Sequence, residues 1–245
     1  MLIDSVPPEQ RRLERGDSFT FACHKDLRCF NACCRNKHLP LSPYDVLRLK
    51  RALQVHSDRF LVEYAAYALD PRSGFPIISL RMREDQERSC PFVTAEGCGV
   101  YENRPTACRL FPLGRASGIA KSGESRDRFF FLQDLPVCLG GGENRTWVVD
   151  EWLKDQGLLP YLAINDKMLD LLFHPKREVG KPLDEEQLRK LIVACYNLDE
   201  FRGFVEKTNL LTSCGIDEET RSRIRKEDTA LLMFGFAYLT TTLFP

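Results

Sequence analysis

Apolar residues in the first half of the chain follow two different periods. They recur at helical spacing between residues 46 and 53, directly after Ser42-Pro43-Tyr44-Asp45, which is typical of a helix N-terminus. Ser57 is expected to cap the next helix. The segments PIISLRM, ending at Met82, and RFFFL, residues 128–132, instead have strand-like patterns. The pattern therefore predicts helices early in the chain and a small sheet in the middle.

From residue 146 onward helical periodicity dominates. Thr146, Pro160 and Asp184 are expected to begin successive helices, because each residue type is favoured at a helix start. One more long helix is expected from Asp217 to Leu239. Its second half, ALLMFGFAYL, is apolar on nearly every face but too short to span a bilayer, so it predicts a buried core helix.

Together these elements predict an α+β, mostly helical fold. Residues 19–145 are expected to form a cysteine-rich metal-binding module with a small β-sheet. Residues 146–245 are expected to form a helical region packed on that module, giving one compact unit. With 245 residues, 43% of them hydrophobic, the chain is long enough to bury a core without covalent cross-links.

Charge and the N-terminal sequence narrow the classes of function. The 35 basic and 35 acidic residues balance, so no overall field attracts nucleic acid or an anionic membrane. The first residues show no secretory signal, and no segment has the length and hydrophobicity of a transmembrane helix. We therefore expect a cytoplasmic protein with no nucleic-acid or membrane partner.

Eight of the ten cysteines form two groups along the sequence. The first group is Cys23, Cys29, Cys33 and Cys34, and the second is Cys90, Cys98, Cys108 and Cys138. A disulfide framework is the alternative, but cytoplasmic thiols stay reduced. Reduced thiols that lie close together are typical ligands of zinc or iron, so the two groups predict metal binding.

The spacing of these cysteines favours iron over zinc. Zinc ribbons and fingers usually use paired CxxC knuckles, and the chain contains none. Iron–sulfur clusters accept more varied spacing and take four thiolates each, so the cysteines suffice for two 4Fe–4S clusters. Zinc remains the alternative. Adjacent residues diverge on a helix or strand, so Cys33 and Cys34 are expected to serve different iron atoms or sites, unless one is only a small buried residue.

The second group of cysteines lies in loops that local sequence makes rigid or compact. Gly97 and Gly99 flank Cys98 and suit a tight turn, and Pro105 can start a short helix that carries Cys108. Three glycines follow soon after Cys138. They are expected to allow close backbone approach and to leave amide groups free to bind sulfur.

The other candidate residues do not form a catalytic set. His24 and His38 are near the first cysteines, and either is a candidate nitrogen ligand, although an exposed or hydrogen-bonded histidine is the commoner case. Cys195 and Cys214 lie in the helical half and are expected to be packing residues. Nucleophile elbows, P-loops and dinucleotide-binding glycine motifs are absent from the sequence.

The order of these motifs resembles a known family. A cysteine cluster closed by Cys33-Cys34, then CPF, then GCGVYENRPTACRLFP, then a cysteine before glycines is similar to the YkgJ-like cysteine-cluster proteins. The resemblance covers roughly residues 19–142 and implies a zinc- or iron-chelating domain with all eight grouped cysteines as ligands. Flagellin lysine N-methylase contains a similar cluster.

Two classes of function follow. In the first, the protein holds or carries metal, or electrons, without catalysing a reaction. In the second, a metal cluster assists the modification of a protein substrate, as the resemblance to flagellin lysine N-methylase suggests. Both classes include a protein partner or substrate. The sequence does not identify a reaction or catalytic residues, so whether the chain is an enzyme stays open.

Overall fold

The computed structural model describes residues 11–71, 73–119, 126–178 and 180–244. The chain divides into two units, each made of separate stretches of sequence. The cysteine unit comprises Met1–Lys37, Met82–Tyr101 and Thr106–Leu159, and the helical unit comprises His38–Arg81, Glu102–Pro105 and Pro160–Pro245. The boundary predicted between residues 145 and 146 falls inside the cysteine unit.

Short strands and longer helices make up the described residues, so the fold is α+β and mostly helical, as predicted. In chain order the strands are β1 (Arg12–Leu13), β2 (Ser18–Thr20), β3 (Ala65–Leu69), β4 (Pro76–Leu80), β5 (Val93–Thr94), β6 (Gly97–Cys98), β7 (Leu113–Ile119), β8 (Arg126–Leu132) and β9 (Thr146–Val148). The helices are α1 (Pro43–Leu53), α2 (Ser57–Tyr64), α3 (Thr106–Leu110), α4 (Val149–Asp155), α5 (Leu159–Leu172), α6 (Glu185–Cys195), α7 (Leu198–Lys207), α8 (Leu210–Ser213), α9 (Glu218–Lys226) and α10 (Asp228–Leu243).

Small antiparallel sheets build the cysteine unit. Strands β1, β8 and β7 pair in that order, β2 pairs with β9, and β5 pairs with β6. The predicted RFFFL strand is confirmed as part of β8, where Phe130 is buried and lies opposite Leu13 of β1. The adjacent Phe131 is buried as well, so both faces of the strand are covered at this point.

Aromatic residues form the core beneath the cysteine loops. The rings of Phe19 and Phe21 both meet Trp152 edge to face, with centroids 5.9 and 5.7 Å away. The indole nitrogen of Trp147 donates to the Phe21 carbonyl at 3.0 Å, and that of Trp152 donates to the Leu110 carbonyl at 3.1 Å. Both buried donors are therefore satisfied, and they connect the β2–β9 sheet to the backbone that leads into the cysteine loops.

The prediction that Thr146 caps a helix is wrong. Thr146 lies in β9, opposite Thr20 of β2, and α4 begins only at Val149. Pairing with β2 keeps the backbone at Thr146 extended, so the helix begins later in the chain. Patterns in a single sequence do not reveal such pairing. The carboxylate of Glu151 accepts a hydrogen bond from the Val148 amide at the true start of α4.

Local capping signals in the helical unit are mostly confirmed. Ser42 and Asp45 form a reciprocal capping box at the start of α1, and Asp184 caps α6 by accepting from the Gln187 amide at 2.8 Å. Pro160 lies in the first turn of α5, as predicted. Ser57 differs from the prediction, because it lies inside the first turn of α2 and its hydroxyl donates to Asp199 at 2.7 Å.

The single long helix predicted from Asp217 to Leu239 is wrong, because the chain forms α9 and α10 with a break between them. Glu227 is extended, with φ −112° and ψ 115°, and α10 restarts at Asp228. The carboxylate of Asp228 accepts hydrogen bonds from Arg51 and Arg202, contacts that fix the second start.

Helix α10 packs mainly against α6, α7 and α9. Gly235 allows the close approach to α6, because a Cβ atom there would lie 2.4 Å from the Ala194 carbonyl oxygen. Strands β3 and β4 form a hairpin in the same unit, and β4 covers PIISL of the predicted PIISLRM strand but ends at Leu80. In the part of the chain that the structure describes, no helix has the length and hydrophobicity needed to cross a bilayer.

Candidate metal centre

A series of tight turns carries the first four cysteines. Backbone hydrogen bonds run from Leu27 to His24, from Ala32 to Cys29 and from Cys34 to Asn31, at 2.9–3.2 Å. Asn31 has a left-handed backbone, with φ 66°, directly before a short 3₁₀ turn at Ala32–Cys34. These turns keep Cys29 and the Cys33–Cys34 pair close together without a regular helix or strand.

Cys23, Cys29, Cys33 and Cys138 are neighbours, and we call them the first thiol set. The pKa of Cys23 is raised to about 11, mainly by partial burial and in smaller part by charge repulsion from the nearby Cys33, Cys138 and Cys29. Burial also raises the pKa of Cys138, again with contributions from Cys29 and Cys33. Such repulsion is strong only between close groups, so the four thiols lie near one another in the cysteine unit.

Backbone contacts next to Cys138 connect this residue to the rest of the first thiol set. The amide of Leu139 donates to the sulfur of Cys29 at 3.2 Å, and the Ala22 amide donates to the Gly140 carbonyl at 3.1 Å. Gly140 is needed for this approach, because a Cβ atom there would lie 2.5 Å from both the Ala22 carbonyl oxygen and the Phe21 ring. The predicted hydrogen bond from an amide to sulfur is therefore present, but its donor is Leu139. The close approach at Gly140 is to the Ala22 carbonyl oxygen and the Phe21 ring.

Cys34, Cys90, Cys98 and Cys108 form the second thiol set. The pKa of Cys34 is raised, first by its hydrogen bond to Cys33, then by burial and by the charges of Cys33, Cys90 and Cys108. The pKa of Cys90 is raised by burial, with Cys98 adding to the effect. The Cys90 amide also donates to the Cys34 carbonyl at 2.7 Å, so the two halves of the set share a backbone contact.

Short elements hold the thiols of the second set, as the sequence predicted. The β5–β6 hairpin pairs Cys98 with Val93, and Gly97 adopts φ 127°, a conformation that favours glycine. Helix α3 begins directly after Pro105 and carries Cys108. Each thiol of the second set is therefore attached to backbone with defined local geometry.

Adjacent Cys33 and Cys34 belong to different thiol sets. Interaction with the Cys34 thiol is the main cause that lowers the pKa of Cys33 to about 7, which favours the thiolate at Cys33. Cys33 lies near Cys23 and Cys138, whereas Cys34 lies near Cys90 and Cys108. The pair thus joins the two sets.

Positive charges accompany both thiol sets. Lys37 lowers the pKa of Cys33, and Arg83 acts in the same direction on Cys90. The Arg83 guanidinium also donates to the Pro91 carbonyl at 2.7 Å, which fixes its position next to that loop. The only signal for Lys37 in the sequence is its position shortly after the Cys-Cys pair.

His24 has acidic neighbours. Its Nε2 atom lies 3.4 Å from Glu143 and its Nδ1 atom lies 3.6 Å from Asp26. The contact with Glu143 connects the first cysteine loop to the loop after Cys138. Its two ring nitrogens thus face carboxylates, an arrangement that suits a positioning role.

Cys195 and Cys214 differ from each other. Cys195 is fully buried in α6, and burial raises its pKa, as expected for a packing residue. Cys214 is exposed after α8, so its predicted packing role is wrong. The residue caps α8 with its backbone, and its side chain lies at the surface because the helix ends there.

All ten cysteines fall within the described residues and are free thiols. Cys23, Cys33 and Cys108 are exposed, and the other five grouped cysteines are half-buried. Among the residues that the structure describes, no group of three or more His, Cys, Asp or Glu side chains is arranged to hold a metal ion.

Part of the chain is similar to a known family. Residues 22–131 match the model described as "CxxCxxCC: Putative zinc- or iron-chelating domain". The match covers less than half of the chain; it agrees with the cysteine-cluster family that the sequence resembles, and it supports metal binding in general. Cys138 lies beyond the matched residues, so its place in the first thiol set depends on the structure. No curated protein and no solved structure matches the chain.

Proposed function

We propose that the protein holds two iron–sulfur clusters, one in each thiol set. The observation that carries this proposal is that Cys33 lies near Cys23 and Cys138 while Cys34 lies near Cys90 and Cys108, which gives each set four thiols. Four thiolates are the usual complement of one 4Fe–4S cluster. The first cluster would be bound by Cys23, Cys29, Cys33 and Cys138, and the second by Cys34, Cys90, Cys98 and Cys108.

The donor set favours iron–sulfur clusters over zinc for two reasons. In a cluster each thiolate binds a different iron atom, which suits thiols that are neighbours on separate loops. The hydrogen bond from the Leu139 amide to the Cys29 sulfur is also of the kind that adjusts cluster reduction potentials. Two four-thiolate zinc sites are the alternative that the same residues allow.

The surroundings of the thiols support a role in holding metal or carrying electrons. Lys37 and Arg83 offset part of the negative charge that ligated thiolates bring. Thiols kept free in this number require a reducing compartment, so we place the protein in the cytoplasm. Since the overall charge is balanced, the partner that receives metal or electrons would be a protein and not a nucleic acid.

Metal and sulfide analysis of protein purified without oxygen tests the proposal. We expect brown protein with broad visible absorption, about eight iron and eight acid-labile sulfide per chain, and little zinc. Colourless protein with two zinc ions per chain and no sulfide would overturn the iron–sulfur assignment but keep the two thiol sets. Protein with no bound metal after anaerobic reconstitution would overturn both.

A further inference from the structure

One stripe of α10 is apolar and open to solvent. A helix that is apolar on every face is normally covered all round, and the sequence ALLMFGFAYL has no polar face. Leu231, Leu232 and Leu239 are buried against the helical unit, but Met233 is 37% exposed and Ala237 is exposed as well. The apolar surface of α10 is therefore only partly covered within one copy of the chain.

Next to this stripe lies an open groove of about 460 Å³ between α9 and α10. Its apolar lining includes Ile216, Ile224, Met233 and Phe234. Phe234 is held by stacking on Phe201, with ring centroids 6.0 Å apart. The groove is thus a fixed apolar surface and would gain stability from burial.

Both signs of charge lie at the edge of the groove. Arg223 and Glu227 line it and are exposed, and neither forms an ion pair with any described residue. Other charged residues nearby are paired: Arg221 and Arg225 with Glu218, and Asp228 with Arg202 of α7. This face therefore combines an apolar centre with one exposed cation and one exposed anion that have no ion-pair partner in the described part of the chain. Such a face is complementary to a second copy of itself.

We propose that this face binds a second copy of the chain in a two-fold dimer. A two-fold interface brings the same patch of each subunit together, so Arg223 can meet Glu227 of the partner subunit, and the reverse. The exposed Met233 of each copy would enter the other groove. The apolar contacts would supply most of the affinity, and the two charge pairs would set the register. This proposal is independent of the metal sites.

Sedimentation velocity of the metal-loaded, full-length protein over a range of concentrations tests the dimer. We expect a species of twice the 28.2 kDa chain mass at high concentration. Met233→Asp should raise the dimer Kd about a hundredfold, because two charges would enter the apolar contact. Val62→Asp is the matched control, since Val62 is 71% exposed on α2, outside this face, and should leave the Kd unchanged.

Two charge-reversal variants test which residues pair across the dimer interface. Both change exposed side chains, so the folded structure should be kept. Arg223→Glu and Glu227→Arg should each raise the Kd about tenfold, because each places like charges opposite one another. The double variant should restore wild-type association. A wild-type protein that stays monomeric, or a dimer in which both single variants associate normally, would overturn the proposal; the second result would indicate another face. Weakening by the single variants without restoration in the double variant would overturn the Arg223–Glu227 pairing.

Discussion

Cys33 lies near Cys23 and Cys138, whereas the next residue, Cys34, lies near Cys90 and Cys108. Adjacent side chains on an extended or helical backbone point in different directions, so a Cys-Cys pair is poorly suited to one mononuclear ion. The same divergence allows the pair to contribute one ligand to each of two sites. The short turn at Ala32–Cys34 makes this possible without a long spacer.

Each member of the pair should therefore control one site. We expect Cys33→Ser and Cys34→Ser each to lose about half of the bound metal, because each removes one of four ligands from a single site. Iron and sulfide analysis of both variants, prepared anaerobically beside wild type, measures the loss. Full retention in both variants would remove the pair from the ligand set.

Gly140 should be required for the first thiol set. Gly140→Ala places a Cβ atom 2.5 Å from the Ala22 carbonyl oxygen, so the loop must move and Cys138 with it. We expect a loss of about 1–3 kcal/mol in stability and reduced metal content, measured by thermal unfolding and metal analysis. Gly141→Ala is the control, since a Cβ atom there meets nothing within 4 Å. Equal behaviour of the two variants would show that the loop is not packed as described.

Asp199 should stabilise the helical unit through buried contacts. It accepts hydrogen bonds from Lys50 at 2.8 and 2.9 Å and from Ser57 at 2.7 Å, and Lys50 is only 7% exposed. We expect Asp199→Asn to cost about 2 kcal/mol in urea unfolding, less than for a fully buried pair because Asp199 is partly exposed. Glu63→Gln, in the exposed Arg59–Glu63 pair, should cost at most about 0.5 kcal/mol and serves as the control.

The stabilisation that Asp199 gives to the folded protein should decrease as the pH falls. Burial opposes its ionised form, but the hydrogen bonds from Lys50 and Ser57 outweigh this and lower the pKa to about 2. Since an unfolded aspartate titrates near a pKa of about 3.9, the stabilisation should be complete above about pH 4 and disappear toward pH 2. Unfolding curves of wild type and Asp199→Asn should therefore converge as the pH falls. A difference that stayed constant down to pH 2 would contradict this assignment.

Serine variants of Cys195 and Cys214 should distinguish effects on stability from effects on metal binding. Cys195→Ser buries a hydroxyl group in α6 and should destabilise the protein by about 1–3 kcal/mol. Cys214→Ser changes an exposed side chain and should alter stability by no more than about 0.5 kcal/mol. Both variants should keep the wild-type metal content. Loss of metal in Cys195→Ser comparable to that in Cys108→Ser would show that the helical unit contributes to the site.

The sequence predicts features that depend on neighbouring residues. The capping boxes at Ser42 and Asp184 and the tight turn at Gly97 follow from local chemistry, and each is found in the structure. The eight grouped cysteines are recognisable as candidate ligands because reduced thiols close together along a chain are typical of metal sites. The resemblance to a cysteine-cluster family also depends on these ordered motifs.

Features that depend on distant contacts could not be predicted. The break at Glu227 accompanies contacts of Asp228 with Arg51 and Arg202, which lie far away in sequence. Thr146 lies in a strand because it pairs with Thr20, and no local pattern shows that pairing. The assignment of Cys138 to the first thiol set likewise requires the fold, because the sequence places it after Cys108.

Metal-to-protein ratios of paired cysteine variants test the two-set account most directly. Cys23→Ser/Cys138→Ser changes two ligands of the first set, and Cys138→Ser/Cys98→Ser changes one ligand of each set. We predict that the first double variant keeps about half of the wild-type iron and sulfide, whereas the second keeps almost none. Equal metal loss in the two double variants would contradict the division of the eight cysteines into two sites.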